Sequence, residues 1–170
     1  MQSPKNNSGH KHAGKKLSLI LFSCEYDKAL AALILANSAR EMNMTVNIFF
    51  AFWGLCLLRD PDKMSAEDKT TLEKMFGLAA PRGPNELPLS RLNMAGLGKA
   101  MLEEMMDDQD SPDLNAFLQG AQKKGVNFLA CKLSLEVMGF KPEELWPEVK
   151  VLTAKEYLED ALEADIQLFI

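Results

Sequence analysis

The side chains best suited to chemistry in this chain are its three cysteines, Cys24, Cys56 and Cys131. Cys131 is the most telling. It closes the apolar run Val126-Asn127-Phe128-Leu129-Ala130 and is followed at once by Lys132-Leu133-Ser134-Leu135-Glu136-Val137-Met138. It therefore stands where a buried strand ends and a short helix begins. The amino end of a helix and a neighbouring ammonium both favour thiolate over thiol. A free thiol of pKa ~8.5 is only a few per cent ionised at pH 7, and lowering that value by about two units, roughly 2.7 kcal/mol, makes it mostly ionised. Such a thiolate attacks sulfur directly and needs no base or cofactor. The alternative fate is a small buried hydrophobe, common for free cysteine.

Other chemistries find little support. The two histidines, His10 and His12, lie in the polar stretch Met1–Lys16, which has no apolar core and reads as a disordered tail. A solvated pair is the better reading of them than a metal site. No Walker loop, zincin motif, nucleophile elbow or CxxC is present, and no metal or cofactor is implied. Gly96-Leu97-Gly98 follows a loop rather than a strand and reads as a helix boundary. Glu25 and Asp27 would repel a phosphate from the first turn. Glu103, Glu104, Asp107, Asp108 and Asp110 read as a solvated helix face, and Met94, Met101, Met105 and Met106 as a gap-filling core stripe. Cys56, beside Trp53 on an apolar face, reads as structural.

A net charge of -5 argues against nucleic acid or an anionic membrane as the main partner. An odd number of cysteines without paired spacing predicts reduced thiols in the cytoplasm. No apolar run approaches the ~20 residues of a membrane span. Hydrophobic content of 47% is ordinary for a globular chain, and residues 17–170 read as a single domain.

The elements that must position the cysteines alternate. Strands are predicted at Leu17–Phe22, Thr45–Phe50, Val126–Cys131, Val149–Leu152 and Ile166–Phe169. Helices are predicted over Lys28–Met42 with Asp27 as cap, Phe52–Arg59, Lys69–Phe76, Leu97–Met106, Pro112–Lys124 and Lys155–Ala164. This is α/β: a three-layer α/β/α domain with a mainly parallel sheet of about five strands and a long helical insertion, Phe52 to Gln122, after the second strand. Ligands in such sheets bind at the carboxyl ends of strands where the order reverses. In an order 2-1-3-4-5 the first and third strands are neighbours ~4.8 Å apart, which would bring Cys24 close to Cys131 as a resolving thiol. In that arrangement Lys132 would stabilise the Cys131 thiolate, Tyr26 would donate to a sulfur species, and Arg82, in Pro81-Arg82-Gly83-Pro84, would fold over the crevice. Core packing for Tyr26 and loop-carbonyl binding for Arg82 are the competing readings.

Taken with these residues, the chain resembles the DsrE/DsrF-like family of small sulfur-handling proteins, in its subgroup with a long middle insertion. The resemblance rests on Tyr26-Asp27-Lys28-Ala29-Leu30-Ala31-Ala32, Phe49-Phe50-Ala51-Phe52-Trp53-Gly54, Pro81-Arg82-Gly83-Pro84-Asn85, Leu87-Pro88-Leu89-Ser90, Asn93-Met94-Ala95-Gly96 and Phe128-Leu129-Ala130-Cys131. It implies a sulfur carrier or sulfurtransferase holding a persulfide on Cys131, served by a rhodanese-like donor or a TusA-like carrier, and forming homo-oligomers. Cys24 departs from the family pattern, which has a small residue there. Two rival functions remain: a non-catalytic assembly or small-ligand protein of the same fold, and a thiol redox sensor using Cys24 and Cys131.

Overall fold

The computed structural model describes residues 12–170. Most of the predicted tail, including His10, lies outside the described residues. From His12 the backbone is already tied down: the Thr45 amide donates to the Lys15 carbonyl at 2.8 Å, and Lys16 opens the first strand.

Five strands form one parallel sheet: β1 (Lys16–Leu21), β2 (Thr45–Phe50), β3 (Asn127–Cys131), β4 (Lys150–Leu152) and β5 (Ile166–Phe169). The helices are α1 (Tyr26–Glu41), α2 (Thr71–Ala79), α3 (Leu97–Asp107), α4 (Leu114–Lys123), α5 (Lys132–Met138) and α6 (Ala154–Ala161), and Phe52–Leu58 is 3-10 helical. The expected α/β class, five strands and long insertion are all present. The order is β4-β3-β2-β1-β5, however, not 2-1-3-4-5.

That order decides what covers each face. Right-handed crossovers that step the same way from β1 to β4 deposit α1, the insertion and α5 on one face. The return from β4 to β5 runs the other way and places α6 alone on the opposite face. The first face carries Leu17, Leu19, Leu21, Val46, Ile48, Phe50, Phe128 and Ala130 in the main core with α1 and α4. The second carries Phe49, Leu129 and Cys131 against Tyr157 and Ala161 of α6.

Three polar residues interrupt the apolar strands in register on this second face: Ser18 opposite Asn47, and Asn47 opposite Asn127. Buried polar groups need partners. Ser18 Oγ lies 2.9 Å from Tyr157 Oη, Asn47 Nδ2 donates to Asp160 Oδ2 at 2.6 Å, and Asn127 Nδ2 donates to Asn47 Oδ1 at 2.7 Å. Lys16 Nζ reaches Asp160 Oδ1 at 2.5 Å. One short helix is thus seated by hydrogen bonds where its apolar area is small.

Two local expectations differ. Glu25, not Asp27, occupies the cap position of α1, and Asp27 instead accepts from the Ser90 amide (2.8 Å) and Ser90 Oγ (2.5 Å), fastening the insertion to α1. The methionine stripe is not core: Met94, Met101 and Met105 are exposed, and Met106 alone packs inward. The five acidic residues from Glu103 to Asp110 are exposed, and no cluster fit for a metal occurs among the described residues.

Candidate functional site

Cys131 ends β3 and is the residue from which α5 springs, with β-region backbone (φ -70, ψ 116) and no side-chain bond to the first-turn amides. Gly139, in the left-handed region at φ 65, closes this helix where a side chain would be strained. Cys131 is 7% exposed and packs with Phe49, Leu129, Tyr157 and Ala161. Phe49 and Tyr157 stack with centroids 4.3 Å apart. One turn further on, Ser134 Oγ is buried and has no hydrogen-bond partner among the described residues. The Cys131 side chain thus lies on the face covered by α6, among hydrocarbon and aromatic groups.

The other predicted site residues go elsewhere. Lys132 follows Cys131 but is exposed, and its charge bears on Glu156 at the start of α6. Tyr26 is buried in the main core, where its Oη accepts from the Leu114 amide at 3.3 Å and Lys99 Nζ sits 5.0 Å from its ring. Burial pushes its phenol pKa up. Arg82 pairs with Glu86 through Nη2 (3.1 Å) and Nε (3.2 Å). Cys24 does not meet Cys131: β2 lies between β1 and β3, and the two cysteines pack on opposite faces of the sheet.

Cys24 meets Cys56 instead, and the Cys24 thiol donates a hydrogen bond to the Cys56 sulfur. Gly54 makes this possible. Its amide donates to the Phe22 carbonyl at 3.0 Å, and a Cβ there would lie 2.0 Å from the Leu21 carbonyl oxygen. Only glycine lets the 3-10 segment rest on the end of β1. Beside the pair is Arg59, 1% exposed, whose Nη1 donates to Ala80 (2.9 Å) and Pro81 (3.2 Å) carbonyls and whose Nη2 donates to Gly77 (2.9 Å). Its guanidinium also lies 4.3 Å from the Phe140 ring centroid, and its Nε has no partner among the described residues. Arg59 thus performs the loop-carbonyl binding considered for Arg82. The available signal was a lone arginine closing the apolar run Leu55-Cys56-Leu57-Leu58.

A parallel α/β domain with one cysteine at a strand-to-helix junction, and a pair of thiols near the end of β1, defines a small thiol-bearing α/β protein. The chain belongs to the DsrE/DsrF/DrsH-like family, whose sequence model matches residues 13–169. It is 37% identical over 156 residues to the uncharacterized protein YrkE of Bacillus subtilis, covering 92% of this chain and 97% of that one. It is 28% identical over 160 residues to the sulfur carrier protein DsrE2 of Allochromatium vinosum, covering 92% and 98%. The crystal structure of YchN from E. coli shares the fold, with a TM-score of 0.55 at 14% identity over 92% of this chain and 99% of that one.

Proposed function

We propose that the protein is a sulfur carrier that loads sulfane sulfur on Cys131. Its family and its likeness to DsrE2 support a role in sulfur relay. The observation that carries the assignment to Cys131 is its position as the last residue of β3 and the first flank of α5. The thiolate attacks the outer sulfur of a donor R–S–SH; the new S–S bond forms at Cys131, the donor bond breaks, and R–S⁻ leaves. An acceptor thiolate then attacks the same outer sulfur and returns the Cys131 thiolate. The two steps together return the protein to its starting thiolate, and no external oxidant or reductant is needed. Lys132 adds charge from the exposed side. The apolar wall of Phe49, Leu129 and Tyr157 shields the persulfide from stray thiols, so exchange waits on local opening near α6. A rhodanese-like donor, a TusA-like acceptor, a cytoplasmic location and self-association belong to this same proposal. The exposed apolar residues of β5, Ile166, Leu168 and Phe169, are where a second copy would pack.

To test it, the protein is incubated with a small persulfide donor and weighed intact. The wild type should gain one sulfur and lose it to added acceptor thiol, and Cys131→Ser should gain none. Equal gain by Cys131→Ser would end the assignment.

A further inference from the structure

The Cys24–Cys56 pair lies apart from Cys131 and is not used in the relay proposed above. Adjacent strands whose connections leave in opposite directions create the crevice in which α/β sheets bind ligands. Here those strands are β3 and β4, which lead to α5 and α6 on opposite faces; the cavity beside Cys24 lies elsewhere, at the end of β1. At the carboxyl end of β1 an open pocket of about 570 Å³ is lined by Phe22, Ser23, Cys24, Trp53, Pro81 and Pro88, with Glu25 and Lys28 completing it. Phe22 stacks on Phe169 of β5 at 5.9 Å and meets Phe52 at 5.6 Å, which fixes one wall of the pocket. Phe52 holds a left-handed backbone (φ 46), a strained conformation of the kind concentrated at functional sites. Cys24 is half-buried at the pocket, and Cys56 lies behind it, fully buried.

We propose that Cys24 and Cys56 form a second sulfur site, a dithiol that reduces a small uncharged disulfide bound in the Phe22–Trp53 pocket. The walls are aromatic and proline; the one cation at the rim, Lys28, is already paired with Glu25 at 3.3 Å. A polyanionic substrate finds no free positive charge there. Cys24, the sulfur facing the pocket, attacks R–S–S–R, forming Cys24–S–S–R and releasing R–S⁻. Cys56 then attacks Sγ of Cys24 and expels the second R–S⁻. The two thiol protons end on the two R–SH products, and two electrons pass from the dithiol to the substrate. The thiols close to the ~2.05 Å of a disulfide.

The electrostatics put the first negative charge on Cys56, so Cys24 attacks only after its own proton has moved to Cys56. The hydrogen bond from Cys24, working against burial and helped by the Arg59 charge, lowers the pKa of Cys56, while that same bond, with burial and the Cys56 charge, pushes Cys24 up. The pair therefore gives up one proton readily and shares the other. A proton shift along the S···S hydrogen bond puts the negative charge on Cys24, at the pocket.

The test uses Cys131→Ser, so that its outcome is independent of persulfide loading at Cys131. The reduced protein is treated with bis(2-hydroxyethyl) disulfide, quenched with acid and weighed intact. The expected product is lighter by two hydrogens, carries no adduct, and yields a Cys24–Cys56 cross-linked peptide. With Cys56→Ala added, the mixed disulfide should accumulate on Cys24. A protein that stays a dithiol, or that keeps the adduct while Cys56 is present, would overturn the proposal. Both outcomes are readable on the Cys131→Ser protein alone should the Cys56 variant fold poorly.

Discussion

Replacing Gly54 by alanine puts a Cβ 2.0 Å from the Leu21 carbonyl oxygen and 2.8 Å from its carbon, where ordinary contact begins at 3.4 Å. Both obstacles are backbone of a central strand, so the 3-10 segment must retreat by more than an ångström. Overpacking of a rigid interior costs ~1–3 kcal/mol. Weakening the Gly54 amide bond to the Phe22 carbonyl adds ~1 kcal/mol, giving a loss of about 2–4 kcal/mol out of the ~5–15 kcal/mol that holds a domain together. Gly77→Ala supplies the control. Gly77 is interior to α2, and its new Cβ would meet only Arg59 Nη2, at 3.7 Å. Alanine there should gain ~0.5–1 kcal/mol from helix propensity. Urea unfolding followed by circular dichroism gives both values by linear extrapolation. The same chemical change thus has opposite expected signs at two positions. Gly54→Ala must also slow Cys24–Cys56 disulfide formation, because Cys56 rides on the displaced segment. A Gly54→Ala protein as stable as the wild type would refute the close approach and, with it, the reason the two thiols meet.

Tyr157→Ala removes the aromatic wall beside Cys131 and should cost ~3–5 kcal/mol, as deletion of a buried ring does, while raising the rate of Cys131 alkylation at least several-fold; Tyr157→Phe, which keeps the stack on Phe49 and loses only the contact with Ser18, should leave alkylation unchanged. For Asp27, burial raises the carboxyl pKa, but the Ser90 hydrogen bonds outweigh it and hold the value below normal. Its contribution to stability is therefore complete above about pH 5, declines through the unfolded value of ~3.9, and is gone once pH falls below the folded one. Asp27→Asn should be less stable than wild type at pH 7 and show a shallower stability loss on acidification, measured by urea unfolding at stepped pH.

Much of the architecture was legible because each strand is a short apolar run between turn residues. Thr45–Phe50 and Ile166–Phe169 were predicted with the bounds observed. Strand order was not, since an apolar run looks the same whichever strands flank it. The in-register polar row Ser18, Asn47 and Asn127 was the clue, because three strands sharing one polar position must be neighbours facing one helix. Cys131 at the strand-to-helix junction followed from local pattern alone. The partnership of Cys24 with Cys56 did not, as it depends on how far one glycine lets a loop approach a carbonyl. The methionines of α3 misled for a related reason: helical spacing marks a face, and only tertiary structure says whether that face is covered.

The most direct measurement is to load the wild-type protein with a limiting persulfide donor, cap every sulfur with an alkylating reagent, and locate the extra sulfur by peptide mass spectrometry. The expected result is an extra sulfur on the peptide bearing Cys131 alone, and its loss when an acceptor thiol is added before capping. Label on Cys24 or Cys56 with Cys131 unmodified would contradict the assignment of the relay to residue 131.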